Sequence, residues 1–116
     1  MQIGFIGLGM MGGPMCRNLI KGDHQALVRD LDADREAALK SVGATPLPNI
    51  QAVVAQAEVV FLSLPMPADV EKVILGEDGV LNAVKPGQVI VDLSTNAPEM
   101  VQRLAAELEK KGAVLL

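Results

Sequence analysis

Aromatic side chains are nearly missing from the 116 residues: there are two Phe, no Tyr and no Trp. Recognition of nucleic acid by base stacking needs aromatic platforms, so this composition argues against it. The net charge of −4 argues against a protein that tracks a phosphate backbone. It leaves room for one small anionic ligand held by backbone N–H groups. Cys16 is the single cysteine. It can form no intrachain disulfide and no Cys-rich zinc site, and no metal site is expected. His24 is the single histidine. It falls in the turn before the second strand, at the end of the sheet away from a ligand cleft, so it is not expected to be catalytic. No run approaches the roughly eighteen apolar residues that span a bilayer. The first residues carry no basic segment and are broken by Gly4 and Gly7, unlike a signal peptide. The expectation is a cytoplasmic protein with no membrane and no nucleic-acid partner.

What is present suits one globular domain, residues 1–116. Half of the residues are hydrophobic. The core must be built from Val, Leu, Ile, Ala and Met, and disorder is not expected. Short apolar runs alternate with amphipathic ones, the pattern of βαβ units and a parallel sheet. Strands are expected at 2–6, 25–29, 58–64 and 88–93, with a proline-limited edge strand at 44–48 and a last strand at 113–116. The run Glu58-Val59-Val60-Phe61-Leu62-Ser63-Leu64 reads as a strand buried on both faces. Helices are expected at 10–21, at 33–42 with Asp32 as N-cap, from the Asn49 cap through 57, at 67–75 and at 97–111, with a short turn at 79–84. Asn96 and Glu99 have capping-box spacing, and Gly112 suits the helix stop. A chain closing on Val114-Leu115-Leu116 is expected to continue in the natural protein, because an apolar strand edge invites pairing.

The most telling motif is Gly7-Leu8-Gly9-Met10-Met11-Gly12, which follows an apolar strand and opens a helix. Gly7 permits the tight turn, Gly9 lets backbone approach a diphosphate, and Gly12 lets the helix pack on the sheet. The helix N-terminus then presents N–H groups and a positive dipole end to the anion. Asp30 closes the second strand eighteen residues after Gly12. There a carboxylate accepts from the adenosine ribose hydroxyls and repels a 2′-phosphate, favouring NAD over NADP. The alternative for Asp30 is a turn-former, since Asp32 and Asp34 follow. Arg29 and Arg35 lie near enough to soften the preference, although Arg29 should alternate to the opposite face.

The segment Gly4-Phe5-Ile6-Gly7-Leu8-Gly9-Met10-Met11-Gly12-Gly13-Pro14-Met15 with Asn18-Leu19 resembles the N-terminal signature of the β-hydroxyacid dehydrogenases. Leu62-Ser63-Leu64-Pro65, Gly76-Glu77-Asp78-Gly79-Val80, Lys85-Pro86-Gly87 and Val91-Asp92-Leu93-Ser94-Thr95 with Pro98 carry the resemblance over the whole chain. It implies a Rossmann-type doubly wound α/β fold, with a mainly parallel sheet and helices on both faces. It implies a nicotinamide cofactor contacted by the glycine loop, Asp30, Leu64, Pro65, Met66, Asp69 and Thr95. Ser94 and Thr95 would meet the substrate, or alternatively cap the following helix. Cys16 stands where the family often has Ala, and is expected to be a buried inert thiol. Asp23 stands where a Gly often ends the first helix, and Asp tolerates the left-handed conformation.

The family's catalytic lysine, substrate loop and all-helical C-terminal domain have no counterpart in these residues. Lys40, Lys85, Lys110 and Lys111 read as solvated, so no catalytic residue is expected within the chain. The expected function is the cofactor half of an oxidoreductase for small 3-hydroxy acids or semialdehydes, homo-oligomeric when intact. Its rival is a non-catalytic nucleotide-binding or assembly module on the same fold.

Overall fold

Side-chain alternation along the first strand decides which helices cover which face of the sheet. The computed structural model describes residues 1–9, 12–94 and 96–116. Strand β1 (Gln2–Ile6) runs into helix α1 (Gly12–Lys21), then β2 (Gln25–Arg29), α2 (Ala33–Lys40) and the short β3 (Thr45–Pro46). The chain continues through α3 (Ile50–Gln56), β4 (Val59–Leu62), α4 (Pro67–Leu75) and a 3-10 turn (Val80–Asn82). It ends with β5 (Val89–Asp92), α5 (Pro98–Glu109) and β6 (Val114–Leu115). The six strands lie in the order β3-β2-β1-β4-β5-β6, and every pairing is parallel. This is the doubly wound Rossmann arrangement, with its reversal of strand order between β1 and β4.

In β1, Ile3 and Phe5 pack with Cys16 of α1 and Leu39 of α2 on one face. Ile6 joins the opposite face, with Val53 and Val54 of α3, Val70 and Ile74 of α4, and Leu104 and Leu108 of α5. The period of two along a strand makes that division. The two phenylalanines meet across the β1–β4 register, Phe5 opposite Phe61, with ring centroids 5.2 Å apart. Each fully buried aliphatic side chain contributes roughly 1.5–3 kcal/mol over exposure. An aromatic-poor sequence therefore reaches a dry core by numbers of Val, Leu and Ile.

Element boundaries mostly follow the expected ones, shortened at their ends. Asp32 caps α2 by accepting from the N–H groups of Asp34 and Arg35, and Asn49 caps α3 by accepting from Ala52 N–H. Asp23 takes φ 65° at the turn after α1. One expectation fails: Asn96 and Glu99 form no capping box. The N-cap of α5 is Ala97, without a side-chain bond. Asn96 Nδ2 donates instead to Asp92 Oδ2. A cap would accept through the amide oxygen, and with the amide held on Asp92 the Asn96 Oδ1 is buried without a partner among the described residues. Residues 10 and 11 of the expected first helix lie outside the described residues.

Gln88 is a structural device that patterning did not reveal. It is buried at the start of β5. Its Nε2 donates to the carbonyls of Val54 (2.6 Å) and Ala57 (2.8 Å), and its Oε1 accepts from Lys85 N–H (2.6 Å). One side chain thereby satisfies the end of α3 and the turn before β5. Gln88→Leu should cost about 3 kcal/mol by stranding those groups, read as a lower urea midpoint at unchanged m-value.

Cys16 is fully buried, and burial pushes its thiol from the ordinary 9.0 up to about 11, against a smaller opposing pull from Arg17. In the unfolded chain the thiol ionises first, so unfolding releases a proton between these values. Stability should therefore fall as pH rises from 9.0 to about 11. Cys16→Ala should flatten that part of the pH–stability curve relative to the parent protein.

Candidate functional site

The site grows from the carboxyl ends of β1 and β4, where strand order reverses and open α/β sheets take ligands. Gly7 leaves β1 with φ +83°, and its N–H donates to the Arg29 carbonyl (2.9 Å). A Cβ there would overlap the Ser63 carbonyl oxygen and lie 2.6 Å from Leu64 Cδ2. At Gly12, the first residue of α1, a Cβ would stand 2.9 Å from the Gly7 carbonyl oxygen and 3.0 Å from Ser63 Cβ. Both glycines are thus demanded by the protein's own packing. Gly9 differs: the nearest described atoms to a Cβ there are Ser63 Oγ at 3.4 Å and Ser63 O at 3.5 Å, ordinary contact distances. Among the described residues, packing does not require glycine at that position. The side chain omitted there leaves room beside the N-terminus of α1, which is the space a diphosphate needs.

Asp30 sits just beyond β2, and its carboxylate is doubly engaged. Oδ2 accepts from Leu8 N–H (2.6 Å) in the glycine loop, and Oδ1 accepts from Asp32 N–H (2.7 Å). The turn-forming role weighed from sequence is therefore real, and the same group also ties the loop to β2. An ionised carboxylate offers about four lone-pair positions, so capacity for ribose hydroxyls remains. Arg35 Nη1 lies 3.9 Å from Asp30 Oδ2, and its Nε lies 3.7 Å from Asp32 Oδ2. Arg29 pairs with Glu36 at 3.7 Å. It was expected to face away from Asp30, yet both border the same cleft. Asp30 lies past the last paired residue of β2, where strict alternation no longer applies.

That cleft has a volume of about 850 Å³ and is bordered by Gly7, Asp30, Ser63, Leu64, Pro65 and Asp69, among others. The size is of the order expected for a cofactor site. Asp69 Oδ2 accepts from Met66 N–H (3.1 Å), which fixes the start of α4 with the exposed Met66 as N-cap. Ser94 does not cap α5. Its Oγ accepts from Leu64 N–H (2.8 Å), while its own N–H donates to Asp92 Oδ1 (2.8 Å). It therefore clamps the loop after β4 to the end of β5. Met10, Met11 and Thr95, also expected at the site, lie outside the described residues. Sequence reading missed Ser63 and Lys72, which also border the cleft. Ser63 immediately follows the strongest strand of the pattern, and a polar residue closing a doubly buried strand was the available signal. His24 lies at the opposite end of β2, its N–H bonded to the Leu19 carbonyl.

A glycine loop of this geometry, opening a helix at a strand-order reversal, has a counterpart in known proteins. The family described as the NAD binding domain of 6-phosphogluconate dehydrogenase matches residues 2–116. The chain belongs to this family. The NAD-binding domain is 42% identical over 111 residues to 2-(hydroxymethyl)glutarate dehydrogenase of Eubacterium barkeri, covering 96% of the chain and 37% of the relative. It is 40% identical over 115 residues to 3-hydroxyisobutyrate dehydrogenase of Pseudomonas aeruginosa, covering 99% of the chain and 39% of that protein. Among solved structures, Psf3 in complex with NADP+ and 2-OPP superposes with a TM-score of 0.92 at 32% identity, over 97% of the chain and 40% of its own. The domain thus spans well under half the length of these relatives. It is an NAD(P)-binding domain of the hydroxyacid dehydrogenase type, and the resemblance read from its motifs holds.

The contrast between two glycines tests the cradle. Gly7→Ala should destabilise the domain by about 3 kcal/mol through left-handed strain and overlap. Gly9→Ala should leave stability within about 0.5 kcal/mol and still abolish detectable NAD+ binding in a calorimetric titration.

Proposed function

We propose that residues 1–116 form the dinucleotide-binding domain of an NAD-preferring dehydrogenase acting on a small 3-hydroxy acid or the corresponding semialdehyde, in the cytoplasm. The observation that carries the NAD preference is the Asp30 carboxylate, held beside Leu8 and facing the cleft. A fixed anion at that place accepts from ribose hydroxyls and opposes a 2′-phosphate. The curated relatives support the substrate class, being named for hydroxy-acid substrates.

The bound nicotinamide would supply the hydride chemistry. This chain's residues have other tasks. The glycine loop (Gly7, Leu8, Gly9, Met10, Met11, Gly12) holds the diphosphate. Leu64, Pro65 and Asp69 border the cleft and, with Met66, would meet the adenosine and its linker. Ser94 and Thr95 would meet the substrate, as the family resemblance implies, and Ser94 can still donate its hydroxyl proton. No residue of the chain takes the role of general acid or base. The intact enzyme would draw that lysine from a further segment and work as a homo-oligomer.

A second reading, that NADP is also accepted, has its own observation. A hollow of about 350 Å³ beside Leu8 and Gly9 is bordered by Arg17 and Arg35. Two guanidinium groups suit an ester phosphate.

Titration of NAD+ and NADP+ against the parent chain and Asp30→Ala distinguishes these. NAD+ should bind at least about tenfold tighter than NADP+, the worth of a hydrogen bond to a charged group. The mutant should lose that ratio, and neither protein should turn over 3-hydroxyisobutyrate. An unchanged ratio removes Asp30 from the ribose site.

A further inference from the structure

We propose that Ser63 is a cofactor-binding residue whose hydroxyl donates to the dinucleotide diphosphate. The inference rests on the reading of the glycine loop as a diphosphate cradle, and adds a side-chain donor to what is otherwise a backbone site.

Ser63 is the first residue after β4, and its N–H donates to the Ile6 carbonyl at the end of β1 (3.1 Å). It therefore stands at the reversal of strand order itself. The residue is only 8% exposed. Ser63 borders the cleft, and its Oγ is not among the buried side-chain atoms left without a partner. No hydrogen bond joins it to another described residue, so the hydroxyl is free to turn its proton toward a ligand in the cleft. Its position relative to the loop is narrow. Oγ lies 3.4 Å from where a Cβ would stand on Gly9, and 3.4 Å from the same point on Gly12. It is thus next to the space left open at Gly9 and to the first turn of α1, where an anion is drawn by helix N–H groups. A neutral hydroxyl can donate to a phosphate oxygen without adding charge, and a charge-assisted bond of this kind is about twice as strong as a neutral one.

The site is also held still. Ser94 Oγ accepts from the N–H of Leu64, the residue after Ser63, and the Ser63 carbonyl is wedged against Gly7. A donor fixed from both sides loses little freedom on binding, so most of its bond strength reaches the ligand.

The experiment is a titration of the 116-residue chain and Ser63→Ala with NAD+, ADP and adenosine, together with ³¹P spectra of bound NAD+. The expected result is about tenfold weaker binding of NAD+ and ADP in the mutant, unchanged adenosine binding, and a shifted ³¹P resonance. Equal affinities with an unchanged resonance would overturn the proposal. A parallel loss for adenosine would also overturn it, since that marks a merely structural role. Absence of NAD+ binding by the parent chain would overturn the cradle reading itself, an outcome distinct from either. If Ser63→Ala fails to fold, Ser63→Cys keeps a side chain of similar size with a much weaker donor, and should show the same selective loss.

Discussion

No side chain fits at Gly7, and the organisation of the cleft follows from that. The residue turns off β1 with positive φ while the Ser63 carbonyl and Leu64 press against the place a Cβ would take. Because that place is vacant, the end of β4 closes onto the end of β1. Gly12 then brings the first turn of α1 down onto the same contact. The helix terminus, the loop and the β4 end are thereby gathered at one point, where partial positive charge from free N–H groups accumulates. Among the described residues, Gly9 meets only ordinary contact distances at that point.

Around that point the structure uses side-chain oxygens to hold backbone N–H groups. Asp30 holds Leu8, Ser94 holds Leu64, Asp69 holds Met66, and Asp92 holds Ser94. Leu8, Asp30, Leu64, Met66, Asp69 and Ser94, all expected at the site, are anchored in this way or do the anchoring. Loops that would otherwise pay ordering entropy on binding are therefore set beforehand. Asp30 both shapes the loop and borders the cleft, its two oxygens holding Leu8 and Asp32.

Much of this was legible in the chain of residues. The strand expected over 58–64 (observed at Val59–Leu62), the Asp32 and Asn49 caps, and the edge character of Thr45-Pro46 each follow from local rules, and all appear in the structure. The capping box at Asn96 and Glu99 did not appear. Its spacing was right, but Asp92, four residues earlier and on a different element, took the Asn96 amide. The alternative for Ser94, a helix cap, is not seen either: a serine before a helix resembles a cap, and only the tertiary structure shows its Oγ accepting from Leu64 N–H. Gln88 carried no signal, because a polar residue at a strand start ordinarily faces water.

Periodicity and the glycine spacing by themselves determined the α/β class, the order of elements and the site's location. Those depend on interactions within a turn or a strand, which local residue types dictate. Only the tertiary structure decided that, among the described residues, Gly9 meets ordinary contacts where Gly7 and Gly12 are crowded, that Ser63 stands beside the loop, and that Ser94 clamps two strand ends. These are contacts between residues distant in sequence, and their geometry exists only once the sheet has brought β1, β4 and β5 side by side.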